Sequence, residues 1–315
     1  MAEALSDILA SLFSSLRNGS RRATFQSPLS EADNWSRREI YRRVDSSSPH
    51  PDAVFKEISP NCGHIRILSP DTVVKIITPS TPAMHSEALA QQFVWSHTSI
   101  PVPKVRQYIV RNFDAYILME NVKGKRLDRI WSSLSPLQQF LIAWILRSYV
   151  LQLRKASAEY ARRHVPGPMA DTPQKCEGCP WIFGSQRPLG PFESSKDLIE
   201  CINKRHRSGP AQQLLDSKEP LVLTHGDICA RNIILGDDGK VWLVDWERSG
   251  FYPPWCEAIT MMCAACDNRA PMSWWNAIPL ICSGAAWKEK ASLAPLVYPP
   301  EVKIPYQYFS PRKAA

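Results

Sequence analysis

The sequence predicts an α+β fold with two lobes, a small and mostly β N-lobe followed by a larger and mostly helical C-lobe. The β-branched run Thr72–Ile77 is typical of a central strand. Pro136 opens a long amphipathic segment that runs toward Leu153, and proline is favoured in the first turn of a helix. A chain of 315 residues has the length for one large or two medium domains.

The elements divide the chain into an N-terminal extension (1–50), an N-lobe (51–120) and a C-lobe (121–315). In the extension, four leucines fall at helical spacing, at positions 5, 9, 12 and 16. This spacing fits a helix that docks on the domain, and a flexible tail is the equal alternative.

The N-lobe begins with two short strand candidates, 54–58 and 64–68, ahead of the central strand. A helix is expected from Ser86 to Trp95, with Ser86 as its cap. The apolar run 115–120 predicts the last strand of this lobe.

The C-lobe continues after its first long helix with a Pro- and Gly-rich stretch, 164–195. Three strands are expected next, at 221–224, 233–235 and 241–244. The tetrapeptide Gly236–Gly239 predicts a hairpin turn between the last two. A further helix is expected after Pro254.

The net charge of +8 is concentrated between Lys104 and Arg163, where twelve basic residues face four acidic ones. Such an excess fits a solvated face or the steering of ATP or an anionic substrate. Neither interleaved aromatic residues nor a recognisable nucleic-acid module accompanies it, so no nucleic-acid partner is expected.

The nine cysteines make a poor disulfide framework, because their number is odd and they are scattered. Cys176 and Cys179 have the spacing of half a zinc site, but the related pair Cys263 and Cys266 lies in an apolar helical run. The chain start lacks a basic signal region, and its longest apolar stretch is too short to span a membrane. We therefore expect a cytoplasmic protein with reduced thiols and no membrane partner.

The segment 225–235 and the residue Asp245 contain the groups that phosphoryl transfer requires. Asp227 is followed five positions later by Asn232, and Asp245 closes the apolar run 241–244. Transfer from ATP needs a carboxylate for the acceptor hydroxyl and oxygen ligands that hold Mg²⁺ against the phosphates. These residues stand in the order that protein kinases use. A chance His-Gly-Asp in a hairpin turn is the alternative, and the spacing disfavours it.

The Gly after His225 and the Trp after Asp245 differ from protein kinases. They resemble the aminoglycoside phosphotransferase and choline-kinase-like family, and the run 245–254 looks like its fungal members. The resemblance implies a protein-kinase-like bilobal fold. It also implies an ATP- and Mg²⁺-dependent kinase that phosphorylates a hydroxyl of a small molecule.

The resemblance implies a role for each residue of the catalytic segment, 225–232. Asp227 would be the catalytic base that orients the acceptor hydroxyl, and Asn232 and Asp245 would be the Mg²⁺ ligands. His225 would hold the loop by hydrogen bonds.

The nucleotide side is assigned in the same way. Lys75 would pair with the α- and β-phosphates, and Glu87, twelve positions on, would hold that lysine. An edge-strand charge and an ordinary carboxylate in a first helical turn are the respective alternatives. Gly63 is the single glycine of the expected phosphate-covering loop, and Glu120 and Val122 mark the expected adenine-binding hinge.

Residues around Asp245 leave two questions open. The nearby aromatic residues fit either an acceptor pocket or the core, and they are Trp246, Phe251, Tyr252 and Trp255. Glu247 and Glu257 fit a site for a cationic substrate or an ordinary surface equally well.

Two functions from different classes therefore remain, with a protein kinase as a distant third because no Ala-Pro-Glu segment follows Asp245. The first is a small-molecule kinase, favoured by the complete set of polar groups. The second is a catalytically weak kinase-like module that binds a nucleotide or a partner, favoured by the single glycine of the phosphate loop.

Overall fold

The structure is a computed structural model. It describes residues 29–51, 64–77, 82–158, 165–170, 172–176, 180–183, 189–206, 215, 219–267 and 270–284. The chain separates into two compact units, each built from two stretches of sequence. The first unit comprises Met1–Gln138 and Ala230–Glu247, and the second comprises Gln139–Cys229 and Arg248–Ala315. The lobe boundaries expected from the sequence, 51–120 and 121–315, stay predictions.

A five-stranded antiparallel sheet forms the main layer of the first unit, in the order β1-β2-β3-β5-β4. Its strands are β1 (Ser48–Pro49), β2 (His64–Ser69), β3 (Thr72–Ile77), β4 (Val105–Arg111) and β5 (Asp114–Glu120). The predicted strands at 64–68, 72–77 and 115–120 are confirmed, whereas β4 was not predicted. The strand expected at 54–58 lies outside the described residues.

Both faces of this sheet are covered by a helix. Alternate residues of β3 and β5, among them Val73 and Ile117, form one core with Ala88 of helix α2 (Pro82–His97). The other face, with Val74 and Leu118, packs against helix α1 (Arg37–Ser46). The expected helix at 86–95 is therefore present, but it begins at Pro82, so Ser86 is a buried interior residue and does not cap it.

Helix α1 lies in the described part of the extension, where the sequence analysis predicted no helix. Ser36 accepts a hydrogen bond from the backbone of Glu39 and so caps the helix, and Ile40 and Val44 are buried. The preceding turn, Glu31–Asn34, is tied to β4 because Asp33 pairs with Arg106 at 3.1 Å. The leucine-spaced helix expected at 5–16 lies outside the described residues.

A second sheet of the first unit has the order β6-β8-β9. Its strands are β6 (Gly124–Arg126), β8 (Ile233–Gly236) and β9 (Val241–Leu243), and the short helix α3 (Leu127–Ile130) follows β6. The hairpin predicted at Gly236–Gly239 joins β8 to β9 and is confirmed.

The second unit is mostly helical. Its helices are α4 (Pro136–Ser157), whose first turn belongs to the first unit, α5 (Pro180–Phe183), α6 (Ser195–His206), α7 (Trp255–Asp267) and α8 (Met272–Ser283). Strands β7 (Val222–Thr224) and β10 (Gly250–Tyr252) pair as an antiparallel ladder. The helices predicted after Pro136 and Pro254 are confirmed. In the part of the chain that the structure describes, no helix combines the length and apolarity needed to cross a bilayer.

Candidate functional site

The first unit gathers three carboxylates around the amine of Lys75. Its Nζ lies 2.8 Å from Glu87 Oε2, 2.7 Å from Asp245 Oδ1 and 3.3 Å from Glu247 Oε2. The side chains of Lys75 and Glu87 are 7% and 2% exposed, whereas those of Asp245 and Glu247 are 32% and 47% exposed. The cluster is therefore buried on the Lys75–Glu87 side and open to solvent on the other.

The sheet explains how Lys75 reaches this position. Strand β3 pairs with β2 on one side and β5 on the other, so Lys75 stands in an interior strand. Its side chain shares a face with Val73 and Ile77, which is the face that α2 covers. The edge-strand alternative for Lys75 is wrong, and Glu87, inside α2 and ion-paired, is more than a first-turn carboxylate.

Burial and charge act in opposite directions on this cluster. Burial alone would lower the pKa of Lys75, but the carboxylates of Asp245, Glu87 and Glu247 raise that pKa well above its ordinary value. Burial raises the pKa of Glu87, and Asp245 and Glu247 add to that increase while Lys75 opposes it. The lysine is therefore a fixed cation at neutral pH.

The β8–β9 hairpin places the two predicted metal ligands at one end of a ladder. Asn232 precedes β8 and Asp245 follows β9, and Ile233 pairs with Leu243 at the same end. The backbone N–H of Val244 donates to the carbonyl of Asn232 at 3.0 Å. Asp245 has a φ of 68°, a left-handed conformation that non-glycine residues adopt at a cost and that is common at functional sites.

The oxygen atoms available here suit a hard divalent cation. One ligand atom each from Glu87, Asp245 and Glu247 lies within 4.8 Å of the others. Two of the three carboxylates around the single ammonium, those of Asp245 and Glu247, lie on the open side of the cluster. Carboxylate oxygens are the ligands that Mg²⁺ prefers in proteins, so the residues present fit that ion. Among the described residues, no group of three potential metal ligands includes a cysteine.

Asp227 and His225 lie in the second unit, on the loop that leaves β7. Both are buried, and Nδ1 of His225 accepts a hydrogen bond from the backbone N–H of Asp227 at 3.2 Å. This hydrogen bond fits the loop-holding role expected of His225, which stays a prediction. Gly226 between them has a φ of 78°, and a Cβ at this position would overlap the carbonyl oxygen of Arg248.

Glu257, on α7, fixes the same loop through two hydrogen bonds. Its Oε2 accepts the backbone N–H of His225 at 2.7 Å and its Oε1 accepts that of Gly226 at 3.1 Å. The side chain is buried, so the surface interpretation of Glu257 is wrong, and two main-chain donors already engage its carboxylate. Burial raises the pKa of Glu257 to about 7, against the lowering effects of the two hydrogen bonds and of Arg154.

Arg248 is a neighbour of Asp227 that sequence reasoning missed. Its Nη1 lies 3.9 Å from Oδ1 of Asp227, and its side chain is 28% exposed while that of Asp227 is 2% exposed. The register of β7 and β10 pairs Thr224 with Gly250, which puts the residues after β7 and before β10 at one end of the ladder. No local motif reveals this neighbour, because it depends on that strand pairing.

The other expected site residues have mixed outcomes. The four aromatic residues near Asp245 are all buried, which favours the core interpretation, and they are Trp246, Phe251, Tyr252 and Trp255. Glu120 ends β5 and accepts a hydrogen bond from the backbone N–H of Lys104 at 3.3 Å, and Val122 follows it half-buried. The hinge role of both stays a prediction. Gly63 and Cys179 lie outside the described residues.

Several solved structures are similar to this chain. An aminoglycoside-3'-phosphotransferase of type VIII is 17% identical, with 82% of this chain and 96% of that chain covered and a TM-score of 0.48. Aminoglycoside phosphotransferase APH(3'')-Id from Streptomyces rimosus, in complex with ADP and streptomycin, is 19% identical over 82% and 96% of the two chains, with a TM-score of 0.44. The streptomycin–ATP ternary complex of APH(2")-IIa is 12% identical over 73% and 78%, with a TM-score of 0.43.

No curated protein sequence matches this chain. A protein-family model does: the APH phosphotransferase enzyme family matches residues 64–278. This range contains the Lys75 cluster, the β8–β9 hairpin and the loop of Asp227. Because the match extends over more than half of the sequence, the chain belongs to the APH phosphotransferase enzyme family.

Proposed function

We propose that this protein is an ATP- and Mg²⁺-dependent phosphotransferase that moves the γ-phosphate of ATP to a hydroxyl of a small molecule. The observation that carries the proposal is the cluster in the first unit. Lys75 and Asp245 are 170 positions apart in sequence and 2.7 Å apart in space. A buried lysine fixed beside a carboxylate that fits a divalent cation is the arrangement that nucleotide phosphates require.

Lys75 is the group that would pair with the nucleotide phosphates. Glu87 keeps its ammonium in place, and the neighbouring carboxylates keep it protonated. Asp245, Asn232 and the exposed carboxylate of Glu247 would hold the metal. Bound Mg²⁺ would neutralise charge on the phosphate oxygens during transfer.

Asp227 would orient the acceptor hydroxyl and accept its proton. Its backbone is fixed by the hydrogen bond to His225, and the loop is fixed in turn by Glu257. A general base contributes typically ~10²–10⁴-fold to a rate, so Asp227→Asn is expected to lower turnover by about that factor.

The location and subtype are parts of the same proposal. No disulfide joins the six described cysteines, which supports a cytoplasmic location. The run 245–254 supports a place among the fungal members of the family.

Thermal unfolding with and without Mg²⁺-ATP tests the nucleotide site. A ligand that binds only the native state adds about 2.7 kcal/mol of stability at a hundredfold excess over its dissociation constant. Asp245→Asn is expected to abolish most of the shift. Asp237→Asn is the matched control, because Asp237 is exposed in the turn of the same hairpin. Equal shifts in both variants would remove Asp245 from the site.

Removal of the metal gives a second, sharper test. Without Mg²⁺, the excess negative charge of the cluster repels the phosphates, so ATP in EDTA is expected to bind weakly to the wild-type protein. The double variant Asp245→Asn, Glu247→Gln is expected to bind metal-free ATP better than the wild type and Mg²⁺-ATP worse. If the double variant does not bind metal-free ATP better and Mg²⁺-ATP worse than the wild type, the proposed metal ligands are wrong.

Asp227→Asn separates chemistry from binding. Consumption of ATP in the presence of a panel of alcohols is expected to fall, while the Mg²⁺-ATP shift is expected to persist because Asp227 lies in the other unit. Full turnover by this variant would remove Asp227 as the base.

A further inference from the structure

One face of helix α4 presents large apolar side chains to solvent. These are Leu137, Phe140, Trp144 and Leu151, here called the α4 stripe, and each is between 47% and 55% exposed. Their spacing puts all four on one side of the helix. The opposite side, with Leu146 among its residues, is buried, so the outer face of such a helix would ordinarily be polar. A contiguous apolar stripe in its place indicates an interaction surface.

The aromatic rings of the α4 stripe are already ordered by their neighbours. The ring centroids of Phe140 and Trp144 lie 6.2 Å apart with the rings stacked at 28°. The guanidinium of Arg147 lies 6.0 Å from the Trp144 ring centroid, and its Nη1 donates to the carbonyl of Ile281 on α8 at 2.9 Å. The rings have therefore lost part of their rotamer freedom before any partner binds, which lowers the entropic cost of covering them.

The charge of α4 narrows the kind of partner that the stripe can accept. The helix contains three basic residues, Arg147, Arg154 and Lys155, and no acidic one. All three basic residues lie in its C-terminal half. Pairing with α4 of a second copy would place only positive charges in the shared interface, which is unfavourable. A helix with an apolar seam and with acidic residues at one end is a better match.

The sequence ahead of the described residues contains a segment of this kind. Its leucines at positions 5, 9, 12 and 16 are separated by four, three and four residues, which is the seam spacing of packed helices. As a helix, this seam would be about 16 Å long, and the α4 stripe from Leu137 to Leu151 is about 21 Å long. The stripe is therefore long enough to receive all four leucines.

The charges of this segment favour an antiparallel arrangement with α4. Glu3 and Asp7 lie near its start, and Arg17 lies at its end. An antiparallel helix brings the two acids toward the basic half of α4, whereas a parallel helix brings Arg17 there. Residues 18–28 connect the segment to the described chain, and eleven extended residues reach about 36–40 Å, more than the length of α4, about 33 Å.

We propose that the segment 3–17 forms an amphipathic helix that docks antiparallel on the α4 stripe of the same chain. Its leucines cover the exposed rings of Phe140 and Trp144, and the removal of this apolar surface from water stabilises the contact. The inference is independent of the proposed phosphoryl transfer, because neither the segment nor the stripe contains a residue of the candidate site. It is therefore tested without a nucleotide or an acceptor.

Two reciprocal measurements on the full-length protein test the contact, because each variant changes one side and the signal comes from the other. The double variant Leu9→Glu, Leu12→Glu puts charge into the leucine seam. Hydroxyl-radical oxidation of the Phe140 and Trp144 side chains is expected to rise at least about twofold in it, since undocking returns both rings to solvent. Trp144→Glu is expected to accelerate amide hydrogen exchange in residues 5–16 at least about tenfold, because an undocked helix loses its protection.

Matched controls add the same charge away from the contact. The double variant Ser11→Glu, Ser14→Glu adds two acids to the segment outside its leucine seam. Phe113→Glu replaces an exposed ring in the turn between β4 and β5. Both controls are expected to keep wild-type oxidation and exchange rates. If Trp144→Glu fails to fold, the leucine variant still decides the question, because it changes none of the described residues.

Four results would overturn the proposal. Amide exchange in residues 5–16 of the wild type that is as fast as in the leucine variant means that no helix is docked. Slow exchange that persists in Trp144→Glu places the segment on another surface. Protection that rises with protein concentration assigns the stripe to a second copy of the chain. Shielding of Trp144 only in the presence of anionic phospholipid vesicles assigns the stripe to a membrane surface.

Discussion

The buried carboxylate of Glu257 gives the most quantitative prediction. Its pKa is raised to about 7 in the folded protein from an ordinary value of 4.5, because burial penalises the charged form. Between these two values the folded state binds a proton that the unfolded state releases. The contribution to stability is therefore fully present below about pH 4.5 and is lost as the pH rises through 7.

The size of this loss follows from the shift. One pKa unit corresponds to about 1.4 kcal/mol, so raising the pH from about 5 to about 8 should cost the wild-type protein roughly 2–3 kcal/mol through Glu257 alone. Glu257→Gln keeps the shape of the side chain and removes the titration. The stability difference between variant and wild type should therefore change by roughly 2–3 kcal/mol in favour of the variant over that interval.

Urea unfolding at several pH values measures this difference. Other titrating groups, Glu87 among them, are present in both proteins, and their contributions cancel in the comparison. Glu200→Gln is the matched control, because Glu200 lies in the same unit with its side chain 51% exposed. Wild-type and Glu257→Gln stabilities that stay parallel from about pH 5 to 8 would refute the assignment of a buried, proton-binding carboxyl to Glu257.

Three further predictions concern stability. Gly226→Ala should cost at least about 2 kcal/mol more in unfolding free energy than Gly284→Ala, because both positions have positive φ but only the first meets a backbone carbonyl within van der Waals distance. Lys75→Met should cost about 3–5 kcal/mol by leaving Glu87 without its ammonium, and adding Glu87→Gln should recover much of the loss in the same unfolding assay. Arg106→Met removes a guanidinium that is 1% exposed against the N-terminal turn, and it should speed amide hydrogen exchange in α1.

The parts of the site that the sequence predicts well are those with local signals. Asp227, Asn232 and Asp245 are separated by short, fixed intervals, and one hairpin determines how Asn232 and Asp245 come together. Lys75 was recognisable because a lone charge inside a β-branched run needs a buried partner. Glu87 was expected as that partner, and the 2.8 Å ion pair confirms it.

The fold was predictable for the same reason, and the element that was missed also has a local explanation. The period-two strands and the long helix after Pro136 carry strong patterns. Helix α1 was missed because the apolar pair Ile40 and Val44 is short and surrounded by arginines. It gains its stability from the sheet face that it covers, which no window of sequence contains.

The residues that the sequence could not assign are those defined by strand register. Glu257 and Glu247 looked equivalent as acidic residues near Asp245, yet one is buried under a backbone loop and the other opens toward solvent beside Lys75. No local pattern singles out Arg248, and it becomes the neighbour of Asp227 only through the pairing of Thr224 with Gly250.

The charged groups around Lys75 in the first unit differ from those around Asp227 in the second, which fits different roles for the two units in the proposed reaction. The carboxylates around Lys75 exceed its single positive charge, so polyanionic phosphates can approach them only together with a divalent cation. The charge beside Asp227 has the opposite sign, so that carboxylate is supplied with a cation by the protein itself. Under the proposed function, Mg²⁺ would neutralise the nucleotide phosphates in the first unit, and Arg248 would balance the charge of Asp227 in the second.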